Sequence, residues 1–109
     1  MTLKEIFSKS NELAIYEKRC ITDEYWELVL LNKEIDKWND LLIDTMGLPI
    51  KPKGTKPTKE ELSLAKDYGG IWKDHVLFKK ELSNGILIAM FWPWQDSLHT
   101  TLKIAFLKK

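Results

Sequence analysis

The residues best suited to ligand chemistry lie around a Trp-Pro-Trp sequence near the end of the chain. Trp92 and Trp94, with Trp72 further upstream, carry indole rings that stack on flat or apolar ligands and can donate a hydrogen bond. His99 is one of two histidines, a residue type whose imidazole can act as acid, base or hydrogen-bonding group. Because aromatic rings beside a proline can line a pocket, Trp72, Trp92, Trp94 and His99 are the candidate ligand-binding residues.

The residue types and their spacing give little support for a catalytic or metal-binding site. Asp96 and His99 could meet across a turn as a carboxylate-imidazole pair, with Ser97 or Thr100 as a nucleophile, but common polar residues reach such spacing by chance. Two histidines and the single Cys20 form no zinc-binding spacing, and no glycine-rich phosphate loop occurs. We expect no catalytic residue, no metal and no cofactor, and we favour a protein that is not an enzyme.

A lysine- and proline-rich segment, residues 48–58, contains no acidic side chain. Lys51, Lys53 and Lys56, with Lys59 just beyond, could contact the phosphates of a nucleic acid. The segment has no arginine, which would read bases through paired hydrogen bonds. We therefore favour an exposed, partly extended connector, and weak polyanion binding through these four lysines is the alternative.

Composition predicts one cytoplasmic globular domain over residues 1–109. Hydrophobic residues make up 44% and charged residues 30% of the chain, which is typical of a globular protein. The longest apolar run, from Ile86 to Trp94, is too short to cross a bilayer, and the first residues lack the pattern of a signal peptide. A lone cysteine also fits a reducing compartment, since it cannot form an internal disulfide.

Charge is divided unevenly along the chain. Residues 1–47 hold six basic and ten acidic side chains, a net charge of −4, whereas residues 48–109 hold eleven basic and six acidic, a net charge of +5. Such complementarity favours docking of the two halves or self-association over binding to a polyanion.

Apolar periodicity predicts a helical hairpin over residues 1–47. The first helix runs from about Thr2 to Arg19 and is weak around Ser8 and Ser10. Thr22, with two acids after it, is suited to cap a longer second helix that stops at Gly47. Within that helix an apolar seam recurs at spacings of three and four residues, at Leu28, Leu31, Ile35, Trp38, Leu42 and Thr45.

A short third helix is predicted within residues 59–70. Thr58 and Glu61 form a capping-box pattern at its start, and Gly69-Gly70 ends it. Its apolar content is low, so we expect this helix to lie on the surface.

The C-terminal residues 75–109 predict a three-stranded antiparallel β-meander. Asn84-Gly85 is a strong hairpin signal, and a two-residue loop there would place Leu82 opposite Leu87 and Phe78 opposite Phe91. The first strand, residues 76–82, has a polar-leaning side and is assigned to an edge. The second, residues 86–92, is apolar at every position and is assigned to the centre. Residues 98–107 pair on its other side.

One face of this central strand needs a cover. If helices cover the first face, the second exposes large side chains whose burial would be favourable: Ile86, Ile88, Met90 and Trp92. A second subunit or another protein could bury this predicted interface, or either the third helix or residues 68–73 could fold over it within the chain. The two alternatives carry similar weight.

The sequence thus predicts an α+β domain in which an N-terminal helical hairpin and a short third helix pack on a C-terminal three-stranded antiparallel β-meander. The favoured function is a small cytoplasmic protein-interaction or regulatory module, self-associating as a homodimer through the sheet face or the long helix. A small-ligand-binding domain with a tryptophan-lined pocket is the alternative, and a weak nucleic-acid binder is the third. No membrane association is expected.

Overall fold

A computed structural model describes residues 2–108 and confirms an α+β fold built on an antiparallel sheet. Three short 3-10 turns, Ser8–Glu12, Asn32–Glu34 and Lys66–Tyr68, supplement the regular elements. In chain order the helices and strands are α1 (Leu3–Ile6), β1 (Glu17–Ile21), β2 (Tyr25–Leu31), α2 (Ile35–Met46), α3 (Lys59–Ala65), β3 (Val76–Leu82), β4 (Gly85–Pro93) and β5 (His99–Lys108).

The sheet has five strands in the order β1-β2-β5-β4-β3, and every pair is antiparallel. β4 lies between β3 and β5, as its apolar sequence predicts. β5 is the middle strand of the sheet, because β2 pairs along its other side. The prediction of three strands was therefore too few: the C-terminal meander is extended by a hairpin from the N-terminal half.

The helical hairpin predicted over residues 1–47 was wrong. Residues 17–31 form the β1-β2 hairpin, and only Ile35–Met46 of the second predicted helix is helical. The Thr22 hydroxyl accepts hydrogen bonds from the amides of Glu24 and Tyr25 at 3.3 and 2.9 Å, and the amide of Thr22 bonds the carbonyl of Tyr25. This side-chain bonding serves a tight turn as readily as a helix cap, and an apolar strand buried on both faces also matches helical spacing.

The first predicted helix is also much shorter than expected. α1 ends at Ile6, and a 3-10 turn follows over the serine-rich residues that are poor helix formers. The Thr2 side chain caps α1 by accepting from the amide of Glu5 at 3.3 Å. Gly47, with a φ of 87°, ends α2 as predicted.

The β3-β4 register differs by two residues from the prediction. Leu82 lies opposite Gly85, and Lys80 lies opposite Leu87. A shift of two keeps every side chain on its predicted face. Gly85 has no positive φ; glycine is needed because a Cβ there would contact the Phe106 ring at 2.7 Å and the backbone of Leu107.

The first face of the sheet carries the larger core, beneath α1, α2 and the N-terminal segment. Trp38 of α2 is fully buried, and its indole N–H donates to the carbonyl of Ala14 at 3.0 Å. This bond fastens the chain before β1 to α2. The sheet contributes alternate apolar residues from four strands, including Leu28, Leu30, Phe78, Leu87, Ala89, Leu102 and Ile104.

The second face of the sheet is covered within the same chain. Ala65 of α3 and Ile71 pack on Leu77, Ile88 and Met90, all of them buried. Of the predicted interface residues, Ile88 and Met90 have no exposed surface, while Ile86 and Trp92 are half-buried. The expectation that this face stays open to a partner is corrected: intrachain cover, the other alternative, is what the structure shows.

α3 begins with the predicted capping box and has a larger role than predicted. The Glu61 amide donates to the Thr58 hydroxyl at 3.2 Å, and the Thr58 amide donates to the Glu61 carboxylate at 2.9 Å. α3 lies at the surface as predicted, and its Ala65, together with Ile71 further along the chain, covers the second face. None of the helices within residues 2–108 has both the length and the apolar character needed to span a membrane.

Candidate functional site

The four predicted ligand residues lie on the second face of the sheet but fall into two groups. Trp92 and Trp94 are two residues apart on and just after β4, so their side chains share this face. Trp72 joins Trp92, with ring centroids 5.6 Å apart, whereas His99 joins Trp94, with centroids 4.9 Å apart. The predicted single pocket is therefore two separate aromatic groups.

The first group, the Trp92 cluster, consists of Trp72, His75, Trp92 and Lys103. The His75 ring stacks on Trp92 with centroids 4.7 Å apart and planes 17° apart. The Lys103 ammonium lies 3.4 Å from the Trp92 ring centroid, a cation-π contact, and donates to the carbonyl of Tyr68 at 2.9 Å. Trp92 is thus already enclosed by its neighbours, which makes it a packing residue.

Gly69 allows this close packing. It adopts a φ of 96°, and a Cβ at this position would lie 2.5 Å from the Trp92 ring and 2.9 Å from the Lys103 ammonium. Only glycine combines the left-handed conformation with the missing side chain. The predicted helix stop at Gly69-Gly70 is therefore also the point where the chain is clamped onto the sheet.

The titration of the Trp92 cluster follows from its burial. Burial of the imidazole, together with the positive charges of Lys51 and Lys103, lowers the pKa of His75 to about 4, against the opposing charge of Asp74. A neutral ring agrees with the geometry, since the His75 Nδ1 accepts from the amide of Trp72 at 3.2 Å. Burial also lowers the pKa of Lys103, against the carboxylate of Glu27.

The second group, the aromatic patch, consists of Tyr16, Arg19, Trp94 and His99. The Tyr16 ring meets His99 edge-on at 4.7 Å, and the Arg19 guanidinium lies 5.5 Å from the Trp94 ring centroid. Tyr16 is 59% exposed, Arg19 is exposed, and Trp94 and His99 are half-buried. Unlike the Trp92 cluster, this patch presents aromatic surface to the outside.

Three different elements position the aromatic patch. Trp94 follows β4, and its indole N–H donates to the Thr101 hydroxyl of β5 at 2.8 Å. A bulge between Lys18 and Cys20 in β1 interrupts the ladder at Arg19 and places it by Trp94. Sequence reasoning missed Tyr16 and Arg19 because both were assigned to the end of a helix.

The suspected carboxylate-imidazole pair forms, and it organises a turn. The Asp96 carboxylate contacts the His99 Nδ1 at 2.5 Å and accepts from the amides of Leu98 and His99 at 2.8 and 3.0 Å. These bonds, the Leu98 amide first, lower the pKa of Asp96. Thr100 points to the other face, where its hydroxyl donates to Asn32 at 2.6 Å. Thr100 therefore does not serve His99 as a nucleophile.

Lys51, the first lysine of the predicted polyanion site, is buried. Lys51 is 1% exposed, and its ammonium donates to the carbonyls of Pro52, Lys73 and His75 at 3.2, 2.9 and 2.6 Å. Burial lowers the pKa of Lys51. The other three lysines of the predicted set, Lys53, Lys56 and Lys59, are exposed. Lys51 thus links the lysine- and proline-rich segment to the residues just before β3, and its ammonium does not face a ligand.

A cleft of about 320 Å³ opens at the start of α2, away from both aromatic groups. Among the polar residues of its lining, only Lys53 and Thr100 were candidate site residues from the sequence. The others are common residue types that form no motif. The lining mixes both signs of charge with apolar side chains: Asn32, Ile35, Asp36, Asn39, Lys53, Asp74, Val76, Phe91, Pro93 and Thr100.

Among residues 2–108, no three histidine, cysteine, aspartate or glutamate side chains lie close enough together to hold a metal ion. Comparison of the chain with protein-family models, with curated proteins and with solved structures gives no match.

Proposed function

We propose that this protein is a small non-enzymatic interaction module that binds a protein partner through the aromatic patch. The observation that carries the proposal is the grouping of exposed Tyr16 and Arg19 with half-buried Trp94 on one surface. Tyrosine, tryptophan and arginine are the residue types enriched at the energetic centres of protein interfaces.

The aromatic patch is held in place before any partner arrives. Trp94 is fixed by its bond to Thr101, and His99 is fixed by Asp96. Arg19 is held by Glu17, whose carboxylate accepts from its Nε at 2.7 Å. Ordered side chains lose less conformational entropy on binding, which favours affinity.

A second copy of the chain is the partner that we propose first. Because Ile88 and Met90 are buried within the chain, self-association would use other apolar surface. Leu98, beside the aromatic patch in sequence, is 63% exposed and could extend the contact. The complementary charge of the two halves of the chain also favours such pairing.

Sedimentation velocity over a wide concentration range tests this proposal. We expect a concentration-dependent dimer that Tyr16→Ala weakens about tenfold or more, since truncation of an interface centre costs about 2 kcal/mol. Trp72→Ala is the matched control, because Trp72 is an aromatic residue of similar exposure, 56% against 59%, outside the patch. A chain that stays monomeric at the highest concentration, or equal effects of both variants, would contradict the proposal of a homodimer.

A cytoplasmic location is part of the same proposal. It is supported by the single cysteine, Cys20, which cannot form an internal disulfide.

A further inference from the structure

A groove of about 470 Å³ lies on the first face of the sheet, between the N-terminal segment and the β1-β2 hairpin. We call it the N-terminal groove. Its volume falls within the range typical of small-molecule sites. The residues that line it are Lys4, Ser10, Asn11, Leu13, Ile15, Lys18, Ile21, Trp26 and Leu28.

One part of the lining of the N-terminal groove is apolar and belongs to ordered elements, while Lys4, Ser10, Asn11 and Lys18 make the rest polar. Trp26 and Leu28 are buried residues of β2, and Leu13 and Ile15 are half-buried beside the larger core. Ile21 of β1, which also lines the groove, is 51% exposed. The backbone between Leu13 and Ile15 is held by the Trp38 bond described above. The apolar surface is therefore preformed.

The charged residues that line the N-terminal groove are both lysines. Lys4 and Lys18 line it, no acidic residue does, and neither lysine forms an ion pair within residues 2–108. This arrangement runs against the local composition, because residues 1–47 carry a net charge of −4. Two unpaired ammonium groups beside an apolar wall are complementary to a ligand with a negative head and an apolar body.

Trp26 adds an unpaired donor to the same wall. The residue is 6% exposed, and its indole N–H, like that of Trp92, has no hydrogen-bond partner within residues 2–108. Buried donors in proteins are nearly always paired. Ser10 and Asn11 provide neutral hydrogen-bonding groups in the groove lining.

We propose that the N-terminal groove binds a medium-chain aliphatic carboxylate. The tail lies along Leu13, Ile15 and Trp26, and the carboxylate lies between the ammonium groups of Lys4 and Lys18. This site is separate from the aromatic patch and does not depend on the function proposed for it. The observations that carry the proposal are the preformed apolar part of the lining and the two lysines without an ion-pair partner beside it.

An NMR titration of the full chain with decanoate, kept below its micelle concentration, tests the proposal. The Trp26 indole N–H signal, assigned through Trp26→Phe, should shift and saturate, while the Trp94 indole signal stays in place. Lys18→Glu should weaken binding about fivefold or more, since it replaces an attractive charge contact by a repulsive one. Lys56→Glu is the matched control, an equal charge change on the exposed connector, and should leave affinity unchanged.

Two analogues of decanoate complete the experiment: decanol, which is uncharged, and decylamine, which is positively charged. Decanol and decylamine should bind about fivefold more weakly than decanoate or worse, because neither offers a negative head. The proposal is overturned if decanoate causes no saturable shift, if decylamine binds equally well, or if shifts arise only once micelles form. Lys4→Glu provides a second variant should Lys18→Glu fail to fold. Because the readout is the Trp26 signal, failure here leaves the sedimentation test of the aromatic patch unaffected.

Discussion

At the scale of single residues, two basic side chains have structural tasks that their types alone do not reveal. Lys51 uses its ammonium to join three backbone carbonyls, one of which belongs to His75. Its charge, together with burial, keeps the neighbouring imidazole neutral. Both residues therefore help to hold the chain before β3 against the second face of the sheet.

The lowered pKa of His75 predicts a loss of stability in mild acid. In the unfolded chain His75 titrates near 6.5, whereas in the folded protein it titrates near 4, so the unfolded state binds more protons between these values. The contribution of neutral His75 is complete above pH 6.5 and is lost as the pH falls towards 4. We expect a loss of about 1–2 kcal/mol, discounted for partial exposure of the ring.

Urea denaturation at a series of pH values measures this effect. His75→Phe keeps an aromatic ring for Trp92 to stack on and removes the titrating group. The difference in unfolding free energy between the wild-type protein and His75→Phe should therefore change with pH between about 4 and 6.5. If both proteins lose stability in parallel, carboxylates are responsible and the assignment to His75 is incorrect.

At the scale of elements, α3 acts as the cover of the second sheet face. Ala65 and Ile71 lie over Ile88 and Met90, all in one buried cluster. α3 lies at the surface, as its low apolar content predicts, with Lys59, Glu60, Leu62 and Ser63 exposed. A single alanine at the contact suffices because the sheet supplies the large side chains. The capping box then fixes where the helix begins.

Truncation of a side chain within this cluster should therefore lower the free energy of unfolding of the single chain. Met90→Ala is expected to cost about 2–5 kcal/mol, the usual price of emptying a buried site, with no change in oligomeric state. Ile86→Ala on the same strand and face is the control: because Ile86 is only half-buried, it should cost about half as much or less. Denaturation and sedimentation of both variants measure the two quantities. A Met90→Ala variant of native stability would show that α3 does not cover this face.

At the scale of the whole molecule, the two faces of the sheet are covered by layers of unequal size. α1, α2 and the N-terminal segment bury the larger cluster, while α3 and the clamped chain bury the smaller one. The strands β4 and β5 lie inside both layers, whereas β1 is a five-residue edge strand with mostly exposed side chains. A short, charged and bulged edge is a common protection against aggregation.

Amide hydrogen exchange should reproduce this order of burial. We expect the amides of β4 and β5 to exchange most slowly, at rates set by global unfolding, and those of β1 to exchange fastest among the strands through local opening. Exchange measured by NMR, residue by residue, checks this gradient. Equal protection of β1 and β5 would indicate that the edge strand is stabilised by a contact outside the single chain.

The sequence by itself determined the features that depend on neighbouring residues. The Asn84-Gly85 signal predicted the β3-β4 hairpin, although the structure centres its turn on Ser83-Asn84. The apolar run of β4 placed that strand inside the sheet, and Thr58 with Glu61 placed the start of α3. These signals are short-range, so the chain encodes them locally.

Tertiary structure decided whatever depends on distant partners. The apolar residues 25–31 fit helical as well as strand spacing, and pairing with β5 on one side and β1 on the other makes them a strand. The same pairing brings Tyr16 and Arg19 to Trp94 and His99, a grouping of residues more than seventy positions apart. Lys51 likewise looks like a surface lysine until the carbonyls of the chain before β3 surround it. Local sequence cannot specify these contacts, because the free energy that selects them comes from burial against remote elements.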